Sequence, residues 1–145
     1  GKEQAINLGV DYDRSIRRLL LGVTLCSIQG MKSGAFLGGV IAAGVRLTLK
    51  ALTENTSQLT SIPITAPSSV ISPNTVECMQ SGLVYGTAAM LDGLLNRIEN
   101  ELGEAPTVVA TGGLSKEIIA YCEHNIIYNE NLLLEGLRTV YEKNN

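Results

Sequence analysis

The chain has 145 residues, of which 45% are hydrophobic and 17% charged, and its formal net charge is −3 at pH 7. This length suits one compact domain with a core of its own, and the composition argues against disorder and against a nucleic-acid-binding face, since the basic residues cluster only from Arg14 to Arg18. The three cysteines form no CxxC pair, and the longest apolar run, Leu19–Cys26, is far shorter than a membrane helix, so we expect a cytoplasmic protein without a zinc site or a membrane span.

The first third of the chain predicts a short helix and a hairpin. Asp11–Arg14 is expected to begin the helix, which an aspartate would cap. Leu19–Ile28 and Ala35–Ile41 are apolar and β-branched, and they flank the glycine-containing segment Gly30–Gly34, which predicts two strands of a hairpin. We expect the chain to turn at Gly38-Gly39.

A helix and a long loop are predicted next. The helix spans about Ala43–Glu54, with a buried stripe of Val45, Leu49 and Leu52. Prolines interrupt Asn55–Pro73, which predicts an ordered loop with an extended piece near Ile62–Thr65.

The clearest helix of the chain is predicted over Thr75–Leu102. Asn74 is its expected cap, Glu77 would complete a capping box, and Gly103 would end the helix. Apolar residues recur every three or four positions on the predicted buried face: Val76, Met79, Leu83, Met90, Leu94 and Ile98. Gly82 and Gly86 lie inside this helix at a cost of about 0.5–1 kcal/mol each relative to alanine, so they need a reason of their own.

The last third alternates strand and helix. Pro106–Gly113 predicts a buried parallel strand that ends in a glycine turn, and a helix at Ser115–Cys122, a strand at Asn125–Tyr128 and a helix at Asn131–Lys143 follow. The order indicates an α/β fold. A strand that ends in Thr-Gly-Gly and feeds a helix exposes backbone N–H groups to which an anion could bind, although taken alone this pattern is more often merely a tight turn.

Four segments together resemble the carboxy-terminal part of type III pantothenate kinases, of the acetate and sugar kinase, Hsp70 and actin superfamily. They are GAFLGGVIAAGVRLTLKAL (Gly34–Leu52), PSSVISPNTVECMQSGLVYGTAAMLDGLLNRI (Pro67–Ile98), VVATGGL (Val108–Leu114) and NLLLEGLRTVYEKN (Asn131–Asn144). The resemblance implies a ribonuclease H-like (actin-like ATPase) domain, a mixed sheet with flanking helices and a long dimerisation helix. Ala43 stands where the family usually has proline.

The resemblance also implies an activity: ATP-dependent phosphorylation of pantothenate, the first step of coenzyme A synthesis, with Mg²⁺ and a monovalent cation (K⁺ or NH₄⁺). Thr75 would reach pantothenate bound in the partner subunit of a homodimer, and Gly112 and Gly113 would lie by the nucleotide. Gly82 and Gly86 would let the partner backbone approach along the 75–102 helix. The alternative is that these glycines accommodate a helix of the same subunit.

The amino-terminal third departs from the family. Gly9-Val10-Asp11 and Asp13-Arg14 each match half of the family's Gly-Ala-Asp-Arg motif, so either Asp11 or Asp13 would be the catalytic base, with Gly9 and Arg14 binding substrate. Of the nucleotide-binding strand only Gly22 and Thr24 are retained. The cation-binding aspartate and the family's phosphate loop are missing from the expected places, and no residue is assigned as a metal ligand.

This departure allows two divisions of the chain into domains and three explanations of what the chain is. Residues 1–33 would be a divergent segment before a carboxy-terminal domain at 34–145, or residues 1–145 would form one domain. The chain would be a kinase fragment, a subunit that needs a second polypeptide, or a non-catalytic dimerisation or accessory protein that keeps the fold.

Two further side chains have competing interpretations. We expect His124 to be a surface residue without a catalytic role. Tyr85 would face the partner or the substrate loop, or it would be a core tyrosine with its hydroxyl at the rim.

Overall fold

The structure is a computed structural model, and it describes residues 18–22, 25–32, 35–54 and 59–145. The predicted site residues Gly9, Asp11, Asp13, Arg14 and Thr24 lie outside these ranges. The strands are β1 (Arg18–Gly22), β2 (Leu25–Lys32), β3 (Ala35–Ala43), β4 (Thr107–Ala110) and β5 (Ile126–Tyr128), and the helices are α1 (Val45–Glu54), α2 (Thr75–Leu102), α3 (Ser115–Ile119) and α4 (Leu132–Asn144).

The strands form one mixed sheet in the order β3-β2-β1-β4-β5. β1 pairs antiparallel with β2, and β2 with β3, whereas β4 runs parallel to both β1 and β5. The predicted α/β fold with a mixed sheet is therefore confirmed. β1 and β2 come from the segment predicted to diverge, yet they belong to the same sheet as the later strands. Within the described ranges, no helix combines the length and the hydropathy needed to cross a membrane.

The prediction of one strand over Leu19–Ile28 is wrong. That run contributes to two antiparallel strands, β1 and β2, with Leu21 opposite Ile28. Both strands have the same apolar character, so hydrophobicity alone could not locate the break between them. The hairpin between the second strand and the segment from Ala35 is confirmed, because β2 pairs with β3 over its whole length.

The predicted turn at Gly38-Gly39 is also wrong, because β3 continues through both glycines to Ala43. The β2–β3 register shifts between Gly30 and Met31, where β3 has one extra residue. Gly38 has a φ of 137°, a conformation that only glycine adopts readily. The glycine therefore serves a β-bulge within the strand.

The core lies between the sheet and helices α1, α2 and α3. The most buried stripe of α2 follows a helical spacing and comprises Val84, Ala88, Leu91 and Leu95. It packs in one cluster with Val45, Val108, Ala110 and Ile118. Of the predicted stripe, Met79 and Leu83 are buried and Met90, Leu94 and Ile98 pack at the margin of the cluster, but Val76 is 45% exposed.

Both ends of α2 lie where they were predicted, and of the predicted capping box the structure shows the bond to the Asn74 side chain. The Asn74 side-chain oxygen Oδ1 accepts a 2.9 Å hydrogen bond from the backbone N–H of Glu77, and Gly103, with a φ of 75°, donates its N–H to the carbonyl of Glu99. The other helices follow the predictions less closely, since α1 begins at Val45 and α3 already ends at Ile119.

The Asn74 cap should contribute measurably to the free energy of unfolding. Asn74→Ala should lower the free energy of unfolding by about 1 kcal/mol, because one N–H of the first turn loses its acceptor. Asn96→Ala, at an exposed position inside the same helix, is the control and should not lower stability, because alanine is the better helix former. Urea unfolding followed by circular dichroism measures both. Equal effects of the two substitutions would contradict the assigned cap.

Candidate functional site

Two predicted nucleotide-binding elements meet at one edge of the sheet. β1 and β4 run parallel with Leu21 opposite Ala110, so Gly22 ends β1 beside the start of the turn Thr111–Gly113. We call this the carboxyl edge: Gly22, Thr111–Gly113 and Asn129, the residues at or just after the carboxyl ends of β1, β4 and β5. Ligands of open α/β sheets bind in the crevice outside such strand ends.

The turn after β4 is open on its outer side and held on its inner side. Gly112 has a φ of 102°, and both Gly112 and Gly113 are exposed. A Cβ atom built on Gly113 would meet nothing within 4 Å. On the inner side, the buried Ser115 donates its hydroxyl to the carbonyl of Thr111 and its N–H to the carbonyl of Gly112. The turn thus has a fixed shape and free approach to its backbone.

β5 supports the same turn from the other side. The Tyr128 hydroxyl donates a 3.3 Å hydrogen bond to the carbonyl of Gly112, and the backbone N–H of Asn129 donates to the carbonyl of Ala110 at 2.9 Å. Tyr128 was not among the predicted site residues. The only signal in the sequence was its place at the end of a predicted strand.

A groove of 510 Å³ opens next to the glycine turn, between α1 and the chain at Ser61–Ile64. Leu114, which follows Gly113 directly, forms part of its wall. Arg46 and Lys50 project from α1 into the lining, and Lys50 lies 3.8 Å from Glu54. The other lining residues are Leu49, Thr53, Ser61, Ile62, Pro63 and Ile64. The groove therefore combines apolar walls, hydroxyl groups and two cations.

The loop before α2 is fastened to that helix by side chains of the helix itself. Gln80 Nε2 donates to the carbonyl of Pro63 at 3.0 Å and to Thr65 Oγ1 at 3.1 Å. Ser81 Oγ donates to the carbonyl of Val70, and the Tyr85 hydroxyl donates to the carbonyl of Pro67. These bonds fix the chain that leads into Asn74 and the exposed Thr75.

Tyr85 partly fits the interpretation as a core tyrosine with its hydroxyl at the rim. Its ring is half-buried and packs edge-on against Tyr121, with 5.3 Å between the ring centroids. Its hydroxyl bonds the loop carbonyl of Pro67.

The two unexplained glycines of α2 lie on an open face. Gly82 and Gly86 are exposed, and a Cβ atom at either one would meet nothing within 4 Å. The alternative that they accommodate a helix of the same subunit is therefore wrong for the part of the chain that the structure describes. Ala89, one turn further along, is exposed on the same face.

His124 lies between two carboxylates, and the prediction that it is a surface residue is wrong. Its side chain is only 16% exposed, with Nδ1 2.7 Å from Asp92 Oδ1 and Nε2 3.4 Å from Glu99 Oε1. Asp92 also accepts hydrogen bonds from the backbone N–H groups of Glu123 and His124. Asp92 thereby ties the middle of α2 to the turn before β5.

This environment shifts two pKa values. Burial acts to raise the pKa of the Asp92 carboxyl, but hydrogen bonds from the N–H of Glu123 and from His124 outweigh it, so the pKa lies below its usual value. Burial, with a contribution from the Asp92 charge, raises the pKa of the Cys122 thiol to about 12. Cys122 is consequently an unreactive thiol at neutral pH.

The described side chains do not supply a metal site. Among them, no group of three or more histidine, cysteine, aspartate and glutamate residues could hold a metal ion. No ligand for Mg²⁺ or for a monovalent cation is assigned from these residues.

Comparison with known sequences identifies relatives of the chain. The sequence model described as type III pantothenate kinase matches residues 22–97. Proteins named type III pantothenate kinase from Streptomyces coelicolor and Frankia alni are 46% and 45% identical over 116 and 111 residues. Each match covers 77% of this chain but only 43% and 44% of the relative, so the chain spans less than half the length of these curated relatives.

Comparison with solved structures shows the fold alone. A crystal structure of a conserved Baf family protein from Campylobacter jejuni matches 99% of this chain and 63% of its own, with a TM-score of 0.64 and 17% identity. The Alp12 filament structure matches 99% of this chain and 53% of its own, with a TM-score of 0.64 and 11% identity. The arrangement of strands and helices is thus shared with proteins of very different sequence.

The contacts of Asp92 with Glu123 and His124 predict that its contribution to the free energy of unfolding depends on pH. Because folding lowers the pKa of Asp92, its carboxylate contributes stability that is fully present above about pH 4 and is lost as the pH falls through the folded-state pKa. Asp92→Asn replaces one acceptor oxygen by a donor amide, so a donor of Glu123 or His124 loses its partner; the substitution should cost about 1 kcal/mol at pH 7 and less at pH 3.

Urea unfolding at the two pH values tests this expectation. Glu142→Gln, which removes an exposed carboxylate, is the control and should have little effect at either pH. A cost of Asp92→Asn that is the same at pH 7 and pH 3 would contradict the assigned role.

Proposed function

Since the chain belongs to the type III pantothenate kinase family, we propose that it forms the carboxy-terminal, nucleotide-binding part of an enzyme that transfers the γ-phosphate of ATP to pantothenate. The product would be 4'-phosphopantothenate, and the reaction would be the first step of coenzyme A synthesis, in the cytoplasm. The observation that supports this most is the carboxyl edge: Gly22 follows the β1 residue that pairs with Ala110, just before the exposed Gly112-Gly113 turn, and the next residue, Leu114, lines a groove with two cations.

The nucleotide is proposed to lie along the carboxyl edge. Exposed backbone N–H groups in the turn after β4 suit phosphate oxygens, and the lack of side chains at Gly112 and Gly113 leaves room for them. From there the groove beside Leu114 leads between α1 and the 61–64 segment, and its apolar walls suit a nucleoside. Arg46 and Lys50 would balance negative charge. Gly22 at the end of β1 and, on the family resemblance alone, Thr24 would complete the site.

The phosphate acceptor is proposed to bind near the amino-terminal end of the chain. Asp11 or Asp13 would take the proton of the pantothenate hydroxyl, with Gly9 and Arg14 holding the substrate; the family resemblance is the support for these four assignments. Mg²⁺ and a monovalent cation would neutralise phosphate charge during the transfer. Phosphoryl transfer depends mainly on such positioning, so a complete site would also need the phosphate loop of the family.

We further propose a ribonuclease H-like domain that dimerises through α2. The support is the open face of that helix, where Gly82, Gly86 and Ala89 would let two backbones approach closely. The fastened loop would then present Thr75 to pantothenate in the partner subunit. Residues 34–145 would correspond to the carboxy-terminal domain of the family.

A coupled assay of ADP release tests the proposed activity. ATP- and pantothenate-dependent turnover by the purified 145-residue chain would establish it directly and would exclude a non-catalytic accessory protein. If the chain is a fragment, it should bind ATP without turnover. A chain that binds neither ATP nor pantothenate would contradict the proposal.

The glycine turn yields a prediction that separates ligand contact from folding. Gly113→Ala should leave the melting temperature unchanged, because the new Cβ meets nothing, but should weaken ATP binding about tenfold or more, because the methyl group occupies the approach to the backbone. Gly112→Ala is the contrast: its φ of 102° strains alanine, so stability and affinity should both fall. Isothermal titration and thermal unfolding measure the two quantities. Unchanged affinity in Gly113→Ala would place the nucleotide elsewhere.

The proposed dimer predicts that substitutions of Gly86 stabilise a free monomer but weaken a dimer closed on this face. In a free monomer, Gly86→Ala should raise stability by about 1 kcal/mol, since alanine is the better helix former and meets no neighbour. In a dimer closed on this face, Gly86→Leu should shift the sedimentation profile towards monomer. Lys116→Leu, which adds a similar apolar side chain on α3, should leave the profile unchanged. A dimer that tolerates Gly86→Leu does not use this face.

A further inference from the structure

The two carbonyl groups that precede the N–H groups of the glycine turn are both held by hydrogen bonds. The Thr111 carbonyl accepts the hydroxyl of Ser115. The Gly112 carbonyl accepts the backbone N–H of Ser115 at 3.2 Å and the hydroxyl of Tyr128 at 3.3 Å. In a trans peptide the N–H points opposite to the carbonyl, so the N–H groups of Gly112 and Gly113 point away from Ser115 and Tyr128.

These two N–H groups are available to a ligand. Within the described ranges, neither of them has a protein acceptor, and both glycines are exposed. An anion outside the turn could therefore accept from both. Glycine populates positive and negative φ about equally, so the direction of these donors depends on how well the carbonyls behind them are held.

The pairing of β5 with β4 explains why a tyrosine hydroxyl reaches this turn. Tyr128 lies opposite Ala110 in the parallel register. Side chains two residues apart on a strand share a face, so Tyr128 is on the face where Ile126 packs against the core. Helix α3 packs on that same face through Ile118. Tyr128 and Ser115 thus approach the turn from one side of the sheet, which leaves the other side of the turn to a ligand.

We propose that Tyr128 is a positioning residue for the phosphate groups of the nucleotide. Its hydroxyl fixes the Gly112 carbonyl, and the N–H of Gly113, at the other end of the same peptide, then donates to a phosphate oxygen. The inference rests on the proposed function, which places ATP at this turn. A phosphate on the N–H polarises the peptide and makes its carbonyl a better acceptor, so the phosphate contact and the Tyr128 bond strengthen each other.

The role of the hydroxyl can be separated from that of the ring. The bond from Tyr128 to Gly112 is solvent-exposed, so its loss should cost little folding stability. Phenylalanine keeps the ring that continues the face of Ile126 and removes only the donor.

Titrations of the chain and of its Tyr128→Phe variant with ATP and with adenosine test the proposal. Tyr128→Phe should weaken ATP binding about threefold to tenfold, because the Gly113 donor is less well directed. It should leave the affinity for adenosine, which has no phosphate, and the melting temperature nearly unchanged. Tyr141→Phe, which removes the hydroxyl of an exposed tyrosine on α4, is the matched control and should change none of the three quantities.

Two outcomes would overturn the positioning role. Equal ATP affinity in the wild type and in Tyr128→Phe would show that the hydroxyl does not act on the phosphate contact. Equal weakening of ATP and adenosine binding would show that it supports the site as a whole.

A wild-type chain that binds no ATP would instead reject the proposed function. The ¹⁵N–{¹H} nuclear Overhauser effect of the Gly113 amide, measured without ligand, then decides whether Tyr128 orders the peptide. A lower value in Tyr128→Phe than in the wild type would keep the positioning of the Gly113 N–H, and equal values would reject it.

Discussion

The backbone hydrogen bonds between β1 and β4 join two distant parts of the chain, and the candidate site exists only because of their register. With Leu21 opposite Ala110, the strands end together, and Gly22 lies beside the turn that contains Gly112. A slip of one residue would turn Val108 and Ala110 away from the core that they share with α2. The burial of those side chains therefore holds the register, and the register in turn aligns the two glycine-containing strand ends.

The long helix α2 connects this edge to the rest of the molecule. Its buried stripe packs against β4, its Gln80, Ser81 and Tyr85 side chains fasten the loop that leads to Thr75, and its Asp92 holds the turn before β5. β5 then supports the glycine turn through Tyr128. The face of α2 that carries Gly82, Gly86 and Ala89 remains exposed.

Much of this architecture could be predicted from the sequence, and the exceptions have physical causes. α2 was predictable at both ends because Asn74 and Gly103 act locally, through hydrogen bonds within one turn. The division of the apolar run at residues 19–28 into two strands was not, since both parts of that run are mainly apolar. Gly38 indicated an unusual backbone correctly, but a positive φ at glycine occurs both in turns and in β-bulges. His124 could not be placed, because Asp92 and Glu99 reach it only through tertiary packing.

The most direct test of the central claim is a titration of the ¹⁵N-labelled chain with ATP, followed by amide chemical-shift changes. If the nucleotide binds at the carboxyl edge, the changes should concentrate at Gly22, Gly112 and Gly113 and at the groove residues Arg46 and Leu114, and they should saturate with one ATP per chain. Shift changes confined to other surfaces, or no saturable change at these amides, would contradict the account.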